Sequence, residues 1–309
     1  MDRQDIDISF VIVNWNTRKL LDDCIASIES TVKGIRFDII VVDNASHDDS
    51  VAMVMEKHPS VRLIKNSRNL GFGAANNQAF AVMNGRYAIL LNTDTVLTEG
   101  AVMELFAFME SHTDAAMACG QLLNLDGSKQ NSIAPFPTIL TLLMNTTILE
   151  YLFPRRYPSK RYGHKNPVEI DSGIGACLIV RKEAMNKVGN FDERYFFFFE
   201  ETDWAYQMKL AGWKIYHVPT ALIYHLQGQS IGQNSRSRIE FYRSRYQYFR
   251  KWKSAGYNFA VSSIIFLRLM VNWLTTLIAT VATLGINRTI RNKCSIYSKI
   301  ILWHIMGCP

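Results

Sequence analysis

The chain has 309 residues, 48% of them hydrophobic, with a formal net charge of +7. That balance excludes disorder and leaves room for one large α/β domain, or a smaller one with an appendage. Its five cysteines (Cys24, Cys119, Cys177, Cys294, Cys308) are far apart with no CxxC pair, which argues against a zinc site or a disulfide framework and fits reduced thiols.

The N-terminal MDRQDIDISF lacks the basic and apolar regions of a secretory leader, so a cytoplasmic location is expected. ISFVIVNW reads as a buried strand. TRKLLDDCIASIES follows with apolar residues at helical spacing and Thr17 as an N-cap. FDIIVVD is a second strand, and DDSVAMVMEKH a second helix, stopped by Pro59. VRLIKN, GAANNQAFAVMN and RYAILLN predict strand, helix and strand. A helix near 99–110 and a strand near AAMACG complete the series. This alternation predicts a mostly parallel sheet with helices on both faces, and ligands beyond the carboxyl ends of the strands.

From about 121 to 170 five prolines and the basic stretch PRRYPSKRYGHK predict a long surface connection. GIGACLIVRKEAM restores a strand and helix, and YFFFFEETDW then runs four phenylalanines into Glu200, Glu201 and Asp203. Helical spacing puts Glu200 and Asp203 on one face and turns Glu201 to the other; which side faces a ligand stays open. If the phenylalanines wall a carboxylate, its basicity rises.

The C-terminal region differs in kind. Arg236 to Lys253 holds seven Lys or Arg against Glu240 alone. FAVSSIIFLRLMVNWLTTLIATVATLGI follows, with Arg268, Asn272, Thr275, Thr276 and Thr283 as a polar stripe and basic flanks on both sides. A spanning helix usually carries its positive charge on one side, so a helix lying in the membrane interface is the favoured reading. The expected division is 1–235 for the catalytic domain and 236–309 for membrane association.

LLNTDT ends an apolar strand in Asn92 and Asp94, oxygen donors suited to Mg²⁺ or Mn²⁺; a simple Asx turn reads the same residues. VVDNASHDDS places Asp43 at another strand end, with a turn and helix cap behind it. GFGAAN follows the third strand rather than the first, which discounts a dinucleotide fingerprint.

In order, FVIVNWN, VVDNASHDDS, NLGFGAANN, LLNTDT, GACLIVRKEAM, FFFFEETDWAYQMKLAGWKI and ALIYH resemble family 2 glycosyltransferases of the GT-A fold. The likeness is to rhamnosyltransferase-like members that build lipid-linked surface polysaccharide such as O-antigen, over about residues 6–253. It implies an inverting transfer from a nucleotide diphosphate sugar, with rhamnose from its thymidine diphosphate donor as the best match, or another hexose. It also implies a lipid-linked saccharide acceptor at the cytoplasmic face of the inner membrane, and no nucleic acid. Val13, Asn14, Asp43, Gly71 and Asn92 would line the nucleotide pocket, and Asp94 and His225 would hold the divalent metal. Gly173, Gly175, Ala176 and Trp204 would border the donor and acceptor crevice. Glu201 falls on the general-base position, with Asp203 and Glu200 as alternatives. Two competing readings are a nucleotidyltransferase and a non-catalytic sugar-nucleotide binder. The first lacks a Gly-rich, basic phosphate loop here, and the second has no need of the EETD acids.

Overall fold

A computed structural model describes residues 6–158, 164–226 and 235–308; of the basic stretch PRRYPSKRYGHK, residues 159–163 lie outside that set. Two compact units emerge. The first comprises residues up to 136, 146–196 and 200–230, and the second 137–145, 197–199 and 231 onward. The second unit takes in two short segments from earlier in the chain, 137–145 and 197–199.

The first unit runs β1 (Ile8–Asn14), α1 (Arg18–Thr31), β2 (Phe37–Asp43), α2 (Ser50–Lys57), β3 (Arg62–Lys65), α3 (Phe72–Phe80), β4 (Tyr87–Asn92), β5 (Thr95–Leu97), α4 (Ala101–Ser111) and β6 (Ala115–Leu123). The supposed surface connection from 121 to 170 is more ordered than its composition predicts. It holds the last turns of β6, then β7 (Ile133–Ala134), α5 (Ile139–Leu143, in the second unit), α6 (Thr146–Leu152) and β8 (Val168–Ile170). These pieces are too short to show a period. β9 (Ser172–Gly173), β10 (Cys177–Arg181), α7 (Lys182–Val188), α8 (Glu200–Leu210) and β11 (Lys214–His225) complete the unit.

The main sheet has the order β3-β2-β1-β4-β10-β6-β11-β5, with β8 beside β11. β3, β2, β1 and β4 are mutually parallel, as are β6 and β11; β10 runs against β4 and β6, and β5 and β8 against β11. The apolar runs alternate as strands must. Ile8, Phe10 and Ile12 meet Leu21, Ile25 and Ile28 of α1 on one face. Val11, Ile40 and Val42 meet Ala75 and Ala79 of α3 on the other.

Two aromatic features tie the core to YFFFFEETDW. Gly71 stands at φ +88°, and a β-carbon there would lie 2.5 Å from the Phe196 carbonyl oxygen, which accepts the Phe72 N–H at 2.8 Å. Only glycine permits both that dihedral and that approach. Trp204 is fully buried, stacked on Phe80 at 5.5 Å and against Phe191 at 4.6 Å, with its Nε1–H given to the Gly189 carbonyl at 2.7 Å. The expectation that Trp204 borders the ligand crevice is therefore corrected: its place on α8 points it into the core.

In the second unit α9 (Ser235–Trp252), α10 (Ala255–Ala282) and α11 (Arg288–Ile305) pack together. Trp273 Nε1 donates to Ser298 Oγ at 2.9 Å and the Phe266 ring lies 5.1 Å from that of His304, so α10 and α11 form an antiparallel hairpin. The Phe198 and Phe199 rings rest on Phe241 of α9 at 5.4 and 5.5 Å, and Ser244 Oγ donates to the Phe197 carbonyl. The four phenylalanines are therefore not one wall. Phe196 seats on Gly71, and the other three belong with α9. Both Phe198 and Phe199 sit at positive φ, 72° and 74°, a backbone that costs roughly 1–2 kcal/mol per non-glycine residue. α9 also buries Ser244, Tyr246, Tyr248 and Phe249, and Arg245 lies over the Phe241 ring, so the basic residues of this packed helix are not confined to one solvent-facing side.

Trp204→Ala should lower unfolding free energy by about 3–5 kcal/mol, the usual scale for emptying a core aromatic site. Denaturant titration checks this; a loss within the range of a surface substitution would return Trp204 to the crevice.

Candidate active site

The parallel register gathers the polar strand ends. Asn14 pairs with Asp43 across β1 and β2, and Val13 with Asn92 across β1 and β4. Asn14 is fully buried and gives its amide to Asp43 Oδ1 at 2.8 Å and to Ser46 Oγ at 3.0 Å. Asp43 Oδ2 accepts the Ser46 N–H at 2.9 Å. These bonds fix the loop that follows β2, and Gly71 joins it through the Asn44 side chain, which donates to the Gly71 carbonyl at 3.1 Å. Thr17 precedes α1, but its hydroxyl turns to Asn14 Oδ1 and Thr93 Oγ1 instead of capping the helix. Trp15 lies at the same strand end and is 48% exposed. Sequence reading passed over it, because an aromatic inside an apolar strand run carries no separate signal.

Asp94 follows β4 and leads into β5, whose Thr95 pairs with His225 at the end of β11. The Leu226 N–H donates to the Asp94 carbonyl at 2.8 Å. The Asp94 side chain is buried, and neither carboxylate oxygen finds a hydrogen-bond partner among the described residues. His225 Nε2 stands 3.5 Å from Asp94 Oδ1. The ring is oriented by Gln130, which sequence reading missed because it sits in the loose connection. Gln130 Nε2 faces the His225 carbonyl at 2.5 Å and Asn124 Oδ1 at 2.8 Å, so its Oε1 must be the atom 3.0 Å from His225 Nδ1. Nδ1 then carries the proton and Nε2 presents a lone pair toward a carboxylate oxygen. Two electron-rich atoms facing each other in a buried site, one of them an orphaned carboxylate, suit a divalent cation. Among the described residues no cluster of three or more such side chains occurs, so further ligands would come from substrate or water.

The three acids of α8 separate cleanly. Glu200 is buried with its Cγ toward Gly73 of α3. Asp203 is buried and accepts from Gln207 Nε2 at 2.7 Å and from the Tyr195 hydroxyl at 3.3 Å. Glu201 points the other way: a β-carbon on Gly175 would lie 3.6 Å from its carboxyl carbon. Burial of that carboxyl pushes it up from an ordinary 4.5 to about 7. The Gly173–Ala176 segment joins the two acidic sites, since the Ala176 carbonyl accepts the Asn92 N–H at 2.9 Å. Gly173 has no room for a side chain, with Leu178 and Cys119 packed against it. The structure thus brings together Asn14, Asp43, Asn92, Asp94, His225, Gly175 and Glu201. It leaves Trp204 in the core and turns Glu200 and Asp203 inward.

Residues 9–189 match the family described as Glycosyl transferase family 2. An N-acetylglucosaminyl-diphospho-decaprenol L-rhamnosyltransferase of Mycobacterium tuberculosis is 30% identical over 217 residues, 65% of this chain and 70% of that protein. A low-salt glycan biosynthesis hexosyltransferase of Haloferax volcanii is 24% identical over 207 residues, 66% of this chain and 62% of its own. Among solved structures, a mannosyltransferase of Pyrobaculum calidifontis in complex with GDP-Man and Mn²⁺ aligns with TM-score 0.59 at 14% identity, over 99% of this chain and 88% of that one. GalNAc-T7 with UDP, GalNAc and Mn²⁺ aligns with TM-score 0.57 at 16% identity, over 79% and 48%. The chain belongs to glycosyl transferase family 2 and has the GT-A fold.

A carboxyl raised to about 7 binds its proton more tightly folded than unfolded. It therefore removes stability as pH climbs from about 4.5 to about 7, with the full loss present above that window. Glu201→Gln mimics the protonated form and should melt above the parent at about pH 8, with the difference gone at about pH 4. Parallel melting curves at both pH values would instead place the Glu201 carboxyl in water.

Proposed function

We propose that this family 2 glycosyltransferase moves rhamnose, with inversion, from a thymidine diphosphate donor to a hydroxyl of a lipid-linked saccharide during surface polysaccharide synthesis such as that of O-antigen. The observation that carries the reading is that Gly175 and Ala176, adjacent in the chain, meet Glu201 on one side and the strand end leading to Asp94 and His225 on the other. The mycobacterial relative, whose name specifies L-rhamnose and a diphospho-decaprenol acceptor, supports the sugar and the lipid. The archaeal hexosyltransferase supports the alternative of another hexose.

Val13, Asn14, Asp43, Gly71 and Asn92 form the nucleotide side of the crevice. The Asn14–Asp43–Ser46 bonds pre-set the loop against which the base rests, so little ordering is left to occur on binding. Asp94 and His225 would hold a divalent cation, Mg²⁺ or Mn²⁺, which when bound would supply charge neutralisation for the departing diphosphate. Gln130 keeps the His225 lone pair aimed at that position. On the other side Glu201 accepts the proton of the acceptor hydroxyl as its oxygen attacks the anomeric carbon. A carboxyl raised to about 7 is basic enough for that task and still ionised in part near neutrality. Gly175 leaves space beside it that a side chain would fill.

The second unit supplies the membrane surface. α10 is long and apolar enough to cross a bilayer, with mean hydropathy 1.8 and 11% of that stretch buried. Leu267, Val271, Leu274, Ile278 and Val281 form an exposed apolar stripe, while Val261, Ile265 and Leu269 face inward. The middle of α10 carries Asn272, Thr275 and Thr276 against α11, which bears Arg288, Arg291, Lys293 and Lys299. A polar centre and a basic neighbour suit a helix lying in the cytoplasmic interface of the inner membrane.

Asp94→Ala and Glu201→Gln should each lower turnover of the thymidine diphosphate donor by at least about a hundredfold, the scale of losing a general base. Transfer should also stop on chelation and return with Mn²⁺ or Mg²⁺. Near-parental turnover in Glu201→Gln, with collapse in Asp203→Asn, would move the base to Asp203. Replacing Leu267, Leu274 and Ile278 together with Gln should release the protein from membranes in sedimentation while donor hydrolysis continues; persistent sedimentation would remove α10 as the anchor.

A further inference from the structure

The helical unit holds an open cavity of about 290 Å³ among its three long helices, with Arg238 and Lys293 exposed at its rim. Arg238 of α9, Asn272, Thr275 and Thr276 of α10, and Lys293 and Tyr297 of α11 line it. At about 30 Å³ per water-sized group it has room for roughly ten, enough for a phosphate and its esterified neighbours. Its charge is one-sided. From Ser235 to the end of the chain there are twelve Lys or Arg and one acid, Glu240, and Glu240 is engaged by Arg243. Neither Arg238 nor Lys293 makes an ion pair among the described residues.

Further cations stand near. Burial pushes the Tyr242 hydroxyl up, and the charges of Arg245, Arg238 and Arg268 oppose that while the Tyr297 hydroxyl adds to it. Arg245 lies 4.5 Å over the Phe241 ring, and its Nε, buried, finds no hydrogen-bond partner among the described residues. Among the described residues Arg268 donates to the Leu142 carbonyl at 2.8 Å through Nη1. Cations collected without acids repel one another, and a buried guanidinium nitrogen left unbonded is costly. An anion with several acceptor oxygens in the cavity relieves the repulsion between Arg238 and Lys293, and arginine and lysine together with hydroxyl and amide donors are its usual partners.

We propose that this cavity binds the phosphate of an anionic membrane lipid. A lipid is favoured over free phosphate because the same α10 that supplies Asn272, Thr275 and Thr276 carries the exposed stripe Leu267, Val271, Leu274 and Ile278. Acyl chains along that stripe and a headgroup in the cavity are served by one helix. The inference rests on the membrane-facing reading of the second unit and is independent of the transferred sugar.

The test uses the full chain in neutral detergent, titrated with short-chain phosphatidic acid, with inorganic pyrophosphate as the lipid-free arm and short-chain phosphatidylcholine as the zwitterionic arm. The double variant Arg238→Gln/Lys293→Gln should bind phosphatidic acid at least about tenfold more weakly, on the scale of about 1 kcal/mol per basic residue near an anionic surface. The charge-matched pair Arg288→Gln/Lys299→Gln should change it far less. Equal losses in both pairs would reduce the effect to general surface charge and overturn the site. Pyrophosphate bound as tightly as phosphatidic acid, with the same sensitivity to the cavity pair, would overturn the lipid in favour of a soluble phosphate. Asn272→Leu keeps every charge and removes an amide lining the cavity, so it tests the site should the double variant not fold; unaltered binding there would also count against the proposal. Transferase activity of each variant on a soluble acceptor reports separately on the first unit.

Discussion

One backbone hydrogen bond, from the Asn92 N–H to the Ala176 carbonyl, holds the two acidic halves of the site in register. On one side of it the chain runs through Asp94 into β5 and meets His225. On the other, Gly175 packs on Glu201. Because side chains alternate along a strand, a slip of one residue between β4 and β10 would turn Leu91 and Cys177 to the opposite face and carry Gly175 away from Glu201. The tight packing of Gly173 against Leu178 and Cys119 opposes that slip. The chemistry therefore depends on a pairing made by main-chain atoms, to which the acids contribute nothing.

The acids themselves are a burden on the fold. A buried Asp94 without hydrogen bonds and a carboxyl at Glu201 raised by burial both favour states that the folded chain alone does not provide. The neighbouring acids show the contrast. Asp203 is bonded to Gln207 and Tyr195, and Glu200 is packed against α3, so α8 separates two inward-packed carboxylates from Glu201 beside Gly175 by the simple geometry of its turn. Core packing around Trp204 and across both sheet faces supplies the stability that lets the other two remain unsatisfied.

Much of this was legible in the sequence, for physical reasons that can be traced. Fully buried parallel strands need continuous apolar runs, and ISFVIVNW, FDIIVVD and RYAILLN are such runs; their polar last residues mark the crevice. The helical period alone also separates Glu201 from Glu200 and Asp203. What stayed hidden involved distant partners or short elements. Gln130 orients a histidine 95 positions away, and β7 and β9 are two residues each. Thr17 looked like a cap because the residue type fits, yet Asn14 and Thr93 compete successfully for its hydroxyl. The family resemblance implies a crevice position for Trp204, and the phenylalanine run reads as a wall from its nearness to the acids in the chain. A helix, however, sends adjacent residues to different sides, and the left-handed turns at Phe198 and Phe199 send that segment to α9.

The thiols divide along the same line as the two units. Cys24, Cys119 and Cys177 are enclosed among apolar side chains of the first unit, where burial raises each well above an ordinary thiol, Cys24 and Cys177 to about 12. Cys294 and Cys308 are only half-buried and both belong to the helical unit. Alkylating reagents attack the thiolate, so the unaltered chain directs a maleimide fluorophore or nitroxide to the α11 region and spares the catalytic core. Environment-sensitive spectroscopy of the helical unit is thus open without engineering a single cysteine.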